Sequence, residues 1–207
     1  MSTATTFLNP LKTGPTVVVA AVGEAEGSRG AAAALACAGA EVDLATLLVD
    51  VGGRAPRPAL LASAAAQKLE ERLGAHLPDA RVAARGQVCH LAVPVEAEGI
   101  ATAAAAIDVA RGATVVLHLP PGLLQEALEG GIALRPTGVL LRADLPTDRP
   151  LVALAVRDLL HRDLAVAVLK RRLSWVAERR ALFGALPAGA PGGLSERFAA
   201  RLLRTRR

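Results

Sequence analysis

Several residue types that mark common protein classes are scarce or absent from this sequence. Its 207 residues include no tyrosine, one tryptophan and three phenylalanines, so the core must be built from aliphatic side chains. The longest apolar runs, such as residues 17–22, fall far short of the roughly 20 residues that a membrane-spanning helix needs. The N-terminus has no charged segment followed by an apolar one, so we expect no secretory signal peptide.

Cysteine is also scarce. The two cysteines, Cys37 and Cys89, match no metal-binding or redox spacing. We therefore expect two reduced thiols in a cytoplasmic protein.

Few side chains suggest catalysis. The four histidines are scattered and show no metal-ligand spacing: His76, His90, His118 and His161. His118 is the one of interest, because it lies at the end of a predicted strand, although a satisfied or exposed histidine is the usual case. Ser63 and Ser174 fall in helical patterns without a nucleophile elbow, so the sequence gives no hydrolase signal.

Charge is distributed unevenly along the chain. Hydrophobic residues make up 52% of the sequence, which indicates a globular protein, and the net charge is +5. Residues 170–207 contain ten basic and two acidic residues, a net charge of +8, so residues 1–169 carry −3. A basic C-terminal segment on a near-neutral body indicates an anionic partner, either a membrane or a nucleic acid.

Buried apolar runs alternate with helical patterns along most of the chain. Strands are predicted at residues 17–22, 46–51, 81–84, 87–93, 113–119, 137–142 and 164–169. Helices are predicted at residues 31–37, 58–73, 96–111, 123–129 and 149–161, and two basic helices at about 171–183 and 193–206. This alternation predicts an α/β fold with a doubly wound, mostly parallel sheet flanked by helices.

The same patterns suggest the domain organisation. We expect a flexible N-terminal lead-in at residues 1–14 and a single α/β domain at residues 15–185. A basic linker and an amphipathic helix are predicted at residues 186–207.

Residues 15–40 contain the most informative pattern. An apolar strand is followed by a loop with Gly23, Gly27 and Gly30, and then by a helix of small residues. A strand, a glycine loop and a helix point the N-terminus of the helix at a phosphate. These glycines also suit a simple tight turn, which is the structural alternative.

Three strand ends carry related motifs. Residues 27–36, GSRGAAAALA, are similar to the end of the phosphate loop and the first helix of the MinD/ParA family of deviant Walker ATPases. Residues 47–50, LLVD, resemble its second strand, which implies that Asp50 would lie near the catalytic magnesium. Residues 115–122, VVLHLPPG, resemble its Walker B strand, in which an acid precedes the x-P-P-G sequence. The resemblance covers about residues 16–170 and implies a P-loop NTPase-like fold.

The residues that carry the ATPase chemistry of that family are replaced here. Ser28 stands where the family has its phosphate-binding lysine, and Arg29 where it has a magnesium-binding hydroxyl. Gly23 takes the place of the signature lysine, and His118 that of the Walker B acid. Phosphoryl transfer depends on cations and a metal that absorb the developing charge. We therefore predict a pseudo-ATPase with no catalytic residues, no metal and no cofactor.

Two acidic residues in the loop also argue against phosphate binding. Glu24 and Glu26 would place negative charge beside the phosphate oxygens. Two unit charges about 4 Å apart repel by roughly 4 kcal/mol at an effective dielectric constant near 20.

Two nucleotide-binding alternatives stay open. In one, the chain is a nucleotide-binding switch or enzyme whose degenerate site comprises Gly23, Gly27, Ser28, Arg29, Gly30, Asp50 and His118, with Arg29 and Asp50 as its main groups. In the other, Gly23, Gly27 and Gly30 with Asp43 form a loose dinucleotide fingerprint, although the spacing differs from G-x-G-x-x-G. A short-chain dehydrogenase would also need a catalytic tyrosine, and this chain has none.

The C-terminus forms an amphipathic helical pattern. Leu194, Phe198 and Leu202 share one side of the predicted helix, and a second side carries arginines: Arg197, Arg201 and Arg204. An apolar face beside an arginine face is typical of an interfacial helix, and MinD proteins end in a membrane-targeting helix. Docking on the protein's own domain or on a partner, contact with a membrane and contact with DNA are the three alternatives.

These patterns favour a non-catalytic function. We expect a bacterial, cytoplasmic scaffold or adaptor that binds a partner protein or further copies of itself. The alternatives are the nucleotide-binding switch and a module that tethers the protein to a membrane or DNA through its C-terminus, with nucleic acid the less favoured partner.

Overall fold

The computed structural model describes residues 16–22, 28–40, 45–54, 61–129, 136, 138–143 and 149–170. In these residues, strands and helices alternate in the order β1 (Thr16–Val22), α1 (Ser28–Ala40), β2 (Thr46–Val51), α2 (Ala64–His76), β3 (Arg81–Arg85), β4 (Val88–Val93), α3 (Ala97–Val109), β5 (Thr114–Leu119), α4 (Leu123–Glu129), β6 (Gly138–Ala143), α5 (Arg149–His161) and β7 (Ala165–Lys170).

The strands form one seven-stranded sheet in the order β3-β4-β2-β5-β1-β6-β7. Every neighbouring pair is parallel except β3 and β4, which are antiparallel. The chain therefore crosses over between strands that are not consecutive, with β1 between β5 and β6. The prediction of a doubly wound, mostly parallel sheet is confirmed.

Helices cover both faces of the sheet. On one face, α1 packs against strand residues Val19, Leu48, Val116 and Leu140. The larger core lies on the other face, where residues of α2, α3 and α5 pack against alternate strand positions such as Leu47, Val49 and Leu117. Successive side chains of a strand point to opposite faces. Because helices cover both faces, every residue of β2 and β5 is buried.

Alanines bring α1 close to the sheet. Ala31, Ala32 and Ala36 are buried against it. At the end of the helix, Gly39 lies so near Thr46 and Thr114 that a Cβ on Gly39 would be 3.3 Å from the Thr46 hydroxyl. The close packing fixes the start of α1, at Ser28, above the carboxyl ends of the strands.

Two predicted helix starts are wrong. The helix predicted from residue 31 begins at Ser28, so Gly30 lies in α1 and not in the loop. The helix predicted at residues 58–73 begins at Ala64, because the Ser63 hydroxyl caps it by accepting a hydrogen bond from the Ala66 amide. Residues 61–63 are not helical; Ala62 forms a parallel bridge with Gly86.

Several predictions fall outside the described residues. They concern the N-terminal lead-in, the loop at residues 23–27 and everything after residue 170, including the amphipathic helix. The domain boundaries therefore stay predictions. Within the described part of the chain, none of the helices has the length and apolar character needed to cross a bilayer.

Candidate functional site

Asp50 and His118 lie at the carboxyl ends of β2 and β5, two adjacent inner strands. They are directly opposite one another in the parallel register. Leu48 and Val116, two residues earlier on each strand, pack against α1. Side chains two apart in a strand share a face, so Asp50 and His118 also point to the α1 side. In open α/β sheets this edge is where ligands bind.

A chain of hydrogen bonds links α1 to both strands. The Ser28 hydroxyl is 3.0 Å from His118 Nε2, and His118 Nδ1 is 2.8 Å from Asp50 Oδ1. An ionised carboxylate only accepts hydrogen bonds. His118 Nδ1–H therefore donates to Asp50, and the Ser28 hydroxyl and His118 Nε2 share the second hydrogen bond. All three residues are only 3% exposed.

Arg29 binds Asp50 on the solvent side of these hydrogen bonds. Its Nε lies 3.0 Å from Asp50 Oδ1 and 3.0 Å from Oδ2, and its Nη2 donates to the carbonyl of Gly52 at 2.9 Å. The Arg29 side chain is 51% exposed, whereas the carboxylate beneath it is buried. We call Ser28, Arg29, Asp50 and His118 the Asp50 cluster.

The cluster keeps Asp50 ionised. Burial by itself would raise the pKa of this carboxyl. Hydrogen bonds from His118 and Arg29, together with their charges, outweigh burial and lower the pKa below its ordinary value of 3.8.

The turn after β2 shapes the space around Asp50. Gly52 adopts a left-handed conformation with φ of +72°, and its N–H donates to the Val93 carbonyl at 2.8 Å. Gly53 then passes so close to Asp50 that a Cβ on Gly53 would lie 2.9 Å from the aspartate Cβ. Glycine at position 53 is therefore what leaves room for the carboxylate.

His90, on β4, adds a second imidazole beside the cluster. Its Nε2 is 3.9 Å from Asp50 Oδ2, which is beyond hydrogen-bond distance. Among the described residues, this buried nitrogen has no hydrogen-bond partner. Burial lowers the pKa of His90 below 6.5, and the positive charge of Arg29 acts in the same direction against the opposing charge of Asp50.

The structure brings together most of the residues proposed for the degenerate nucleotide site. Ser28, Arg29, Asp50 and His118 are in direct contact. Gly30 lies in the first turn of α1, is exposed, and has open space where a Cβ would be, so close packing does not require a glycine there. Gly23 and Gly27 lie outside the described residues.

The other set of proposed contact residues lies entirely outside the described chain. It consists of the three apolar and three arginine positions of the C-terminal helix: Leu194, Phe198, Leu202, Arg197, Arg201 and Arg204. Their assignment to a membrane, DNA or protein surface stays a prediction.

Two features of the site do not follow from the sequence patterns. The resemblance marks Ser28 as a replacement for lysine, whereas the structure shows it as a partner of His118. His90 matches no ligand spacing, but β4 lies next to β2. The signal that the sequence does contain is positional, because Asp50 and His118 lie near the ends of apolar runs and parallel strands bring such ends together.

Searches with the sequence and with the structure give different results. No family model matches the sequence, and no curated protein matches it. Solved structures do match the fold. A ParA-family ATPase from Chlorobium tepidum has a TM-score of 0.56 at 11% identity, covering 92% of this chain and 99% of that chain.

Two further solved structures have a similar fold. A plasmid partition protein from Borrelia burgdorferi bound to AMPPNP has a TM-score of 0.53 at 12% identity, covering 79% of this chain and 78% of its own. The MinC:MinD cell division complex of Aquifex aeolicus has a TM-score of 0.52 at 16% identity, covering 91% and 77%. At these identities the likeness concerns the fold alone: this chain has the P-loop NTPase-like fold of the ParA and MinD ATPases.

Proposed function

We propose that this chain is a degenerate relative of the MinD/ParA ATPases that does not hydrolyse ATP and that acts as a scaffold or adaptor through protein contacts. The observation that carries the proposal is the Asp50 cluster. Its side chains bond to one another at the edge of the sheet where an ATPase needs groups directed at phosphate and magnesium.

The arginine of the Asp50 cluster is already engaged. Phosphoryl transfer relies on positively charged groups placed around the transferred phosphate. Arg29 directs Nε at Asp50 and Nη2 at the Gly52 carbonyl. To reach a phosphate, Arg29 would have to leave a carboxylate that is buried and ionised, and uncovering such a charge is costly.

The carboxylate is engaged as well. Magnesium prefers oxygen ligands in near-octahedral geometry, and Asp50 is the acidic residue of the cluster. Its Oδ1 accepts from both His118 and Arg29. Within the described residues, no three His, Cys, Asp or Glu side chains are grouped so that they could hold a metal ion. This arrangement favours a function without metal-assisted phosphoryl transfer.

Protein binding is the function that the fold supports without that chemistry. One solved structure with this fold is a MinC:MinD complex, an assembly of two proteins. In the resembled family, dimers form across the nucleotide through a loop lysine, and Gly23 stands at that position here. Self-association of this chain is therefore independent of nucleotide.

Two measurements on the purified full chain test the proposal. Phosphate release from ATP with Mg²⁺ should equal the background without protein, and Asp50→Ala should leave it there. Light scattering should give the same molar mass with and without ATP. Turnover that Asp50→Ala abolishes, or a dimer that forms only with ATP, would refute the proposal.

A thermal-shift screen distinguishes the nucleotide-binding switch. ATP, ADP and GTP, each with and without Mg²⁺, should leave the melting temperature unchanged. A nucleotide that raises the melting temperature of the wild type but not that of Arg29→Gln would favour the nucleotide-binding switch over the scaffold.

A further inference from the structure

Three members of the Asp50 cluster have the geometry of an activated nucleophile. The Ser28 hydroxyl is 3.0 Å from His118 Nε2, and Asp50 Oδ1 is 2.8 Å from His118 Nδ1. A serine within hydrogen-bond reach of a base, with the base oriented by a third group, is the arrangement that makes a hydroxyl nucleophilic. We propose that Ser28 is the nucleophile of an acyl-transfer site that hydrolyses small carboxylic esters, with His118 as its general base.

Asp50 is the positioning residue of this site. Its carboxylate accepts a hydrogen bond from His118 Nδ1–H, so the neutral imidazole that the reaction requires presents Nε2 to the Ser28 hydroxyl. Arg29 keeps that carboxylate ionised from the solvent side. The protonated imidazole that forms during the reaction then lies against a negative charge, which stabilises it.

The position of Ser28 on α1 supplies the second requirement of acyl transfer. Ser28 is the first residue of a 13-residue helix. The first N–H groups of a helix have no partner within it, and the helix dipole makes this end positive. A carbonyl oxygen that gains negative charge beside Ser28 would lie at these donors, which is how an oxyanion is stabilised.

The order of the three residues also suits acyl transfer. Along the chain they follow as Ser28, Asp50 and His118, the order found in α/β-hydrolases, where the serine likewise lies between a strand and a helix. The G-x-S-x-G sequence of those enzymes is incomplete here, since Gly30 is present but residue 26 is Glu26. The geometry of the side chains, and not a motif, therefore carries the proposal.

The reaction balances with water as the second substrate. The Ser28 Oγ bonds to the ester carbonyl carbon while its proton passes to His118 Nε2. His118 then gives that proton to the departing alcohol oxygen as the ester C–O bond breaks, which leaves an acyl-serine. Water then attacks the acyl carbon while His118 Nε2 takes its proton. The bond between the acyl carbon and Ser28 Oγ breaks, His118 returns the proton to Oγ, and the acid is released.

Burial limits the size of the acyl group. Ser28 is 3% exposed, while Arg29 and Gly30 beside it are exposed. A substrate therefore approaches past the first turn of α1, and a short acyl chain such as acetyl suits this approach better than a long one.

Covalent labelling tests the nucleophile directly. The full-length protein is treated with a small alkyl fluorophosphonate, from which an activated serine displaces fluoride, and the labelled peptide is identified by mass spectrometry. We expect the label on Ser28 and none on Ser28→Ala. Ser63 is the matched internal control, because it also starts a helix but bonds to a backbone amide and not to a histidine. Folded wild-type protein that is unlabelled at Ser28, or labelled equally at Ser63, would overturn the proposal.

Turnover is measured with p-nitrophenyl acetate. Ser28→Ala should lower the rate at least about 100-fold, whereas Ser63→Ala should keep it. Equal rates in wild type and Ser28→Ala would show that the hydrolysis occurs elsewhere and would refute the assignment. If Ser28→Ala fails to fold, Ser28→Cys replaces it: iodoacetamide should alkylate the introduced thiol much faster than the buried Cys89, and an unreactive thiol would count against the site.

Asp50→Asn separates a positioning role from a structural one. An asparagine that donates to His118 Nδ1 would force the proton onto Nε2, so that the base can no longer accept from Ser28. The rate should fall and its pH profile should change, while circular dichroism stays that of the wild type. An unchanged pH profile in folded Asp50→Asn would refute the role of Asp50.

Discussion

Gly53 offers a sharp test of how tightly Asp50 is held. A Cβ on Gly53 would lie 2.9 Å from the Asp50 Cβ and closer still to the carboxylate. Gly53 does not have the positive φ that Gly52 has, so an alanine fits the backbone and only the steric conflict remains. Gly53→Ala must therefore displace the carboxylate from its partners.

The cost follows from the bonds that are lost. A hydrogen bond to a charged group contributes about 1.5–3 kcal/mol, which applies to the buried contact between Asp50 and His118. The contact with Arg29 is worth less, about 0–1 kcal/mol, because the arginine side chain is half exposed. Gly53→Ala should thus lower the free energy of unfolding by about 1.5–4 kcal/mol.

Urea denaturation at neutral pH measures this loss as a lower midpoint with an unchanged slope. Gly30→Ala is the matched control. Gly30 lies beside the same cluster, but in α1 and with open space around it, so alanine there should stabilise the protein by up to about 1 kcal/mol. A Gly53→Ala protein whose stability is within about 0.5 kcal/mol of the wild type would refute the reasoning.

Three further predictions concern protonation, thiol reactivity and the C-terminus. Burial lowers the pKa of His90 below 6.5, so the unfolded chain binds more protons than the folded one as the pH falls below that value. The free energy of unfolding should therefore decrease from pH 7 to pH 5. In urea titrations His90→Gln should make this decrease smaller, and an unchanged dependence of stability on pH would contradict the prediction. Burial, together with the charge of Glu70, raises the pKa of Cys89 to about 12. Alkylation of the native protein should therefore modify the half-buried Cys37 first. Faster labelling of Cys89 would contradict this prediction. If the C-terminal helix is interfacial, Phe198→Glu should abolish sedimentation with anionic liposomes without changing the melting temperature, whereas a lower melting temperature and no liposome binding would indicate docking on the protein.

The fold could be predicted from the sequence because its strands are strongly marked. Runs such as Thr46–Val51 and Thr114–Leu119 are buried on both faces, which requires nearly continuous apolar stretches, interrupted here by Asp50 and His118 near their ends. The helical spacing predicts a start of α2 at residue 58, which is too early, because apolar residues at that spacing continue before the Ser63 cap. The strand order could not be predicted from the sequence, because it depends on long-range pairing such as that of β1 with β5 and β6.

The site was predictable only in part. The resemblance placed Ser28, Asp50 and His118 at one edge of the sheet, and the structure has them there. Their hydrogen bonds could not be derived, because they require Asp50 to lie opposite His118 in the register and α1 to begin at Ser28. Both conditions arise from packing between segments that are distant in the sequence.

The departures from the resembled ATPase pattern depend on one another physically. An acid at position 118, as the pattern has, would put a second carboxylate where His118 Nδ1 now lies, 2.8 Å from Asp50 Oδ1. Two unit charges about 3 Å apart repel by roughly 5 kcal/mol at an effective dielectric constant near 20, unless a metal ion lies between them. His118 replaces that repulsion with a hydrogen bond, and Arg29 balances the remaining charge of Asp50. Reversing one of these residues alone would remove one of the two partners of the buried carboxylate, or would place another acid beside it. Within the cluster, the charge of Asp50 is therefore balanced by two side chains of the protein, His118 and Arg29.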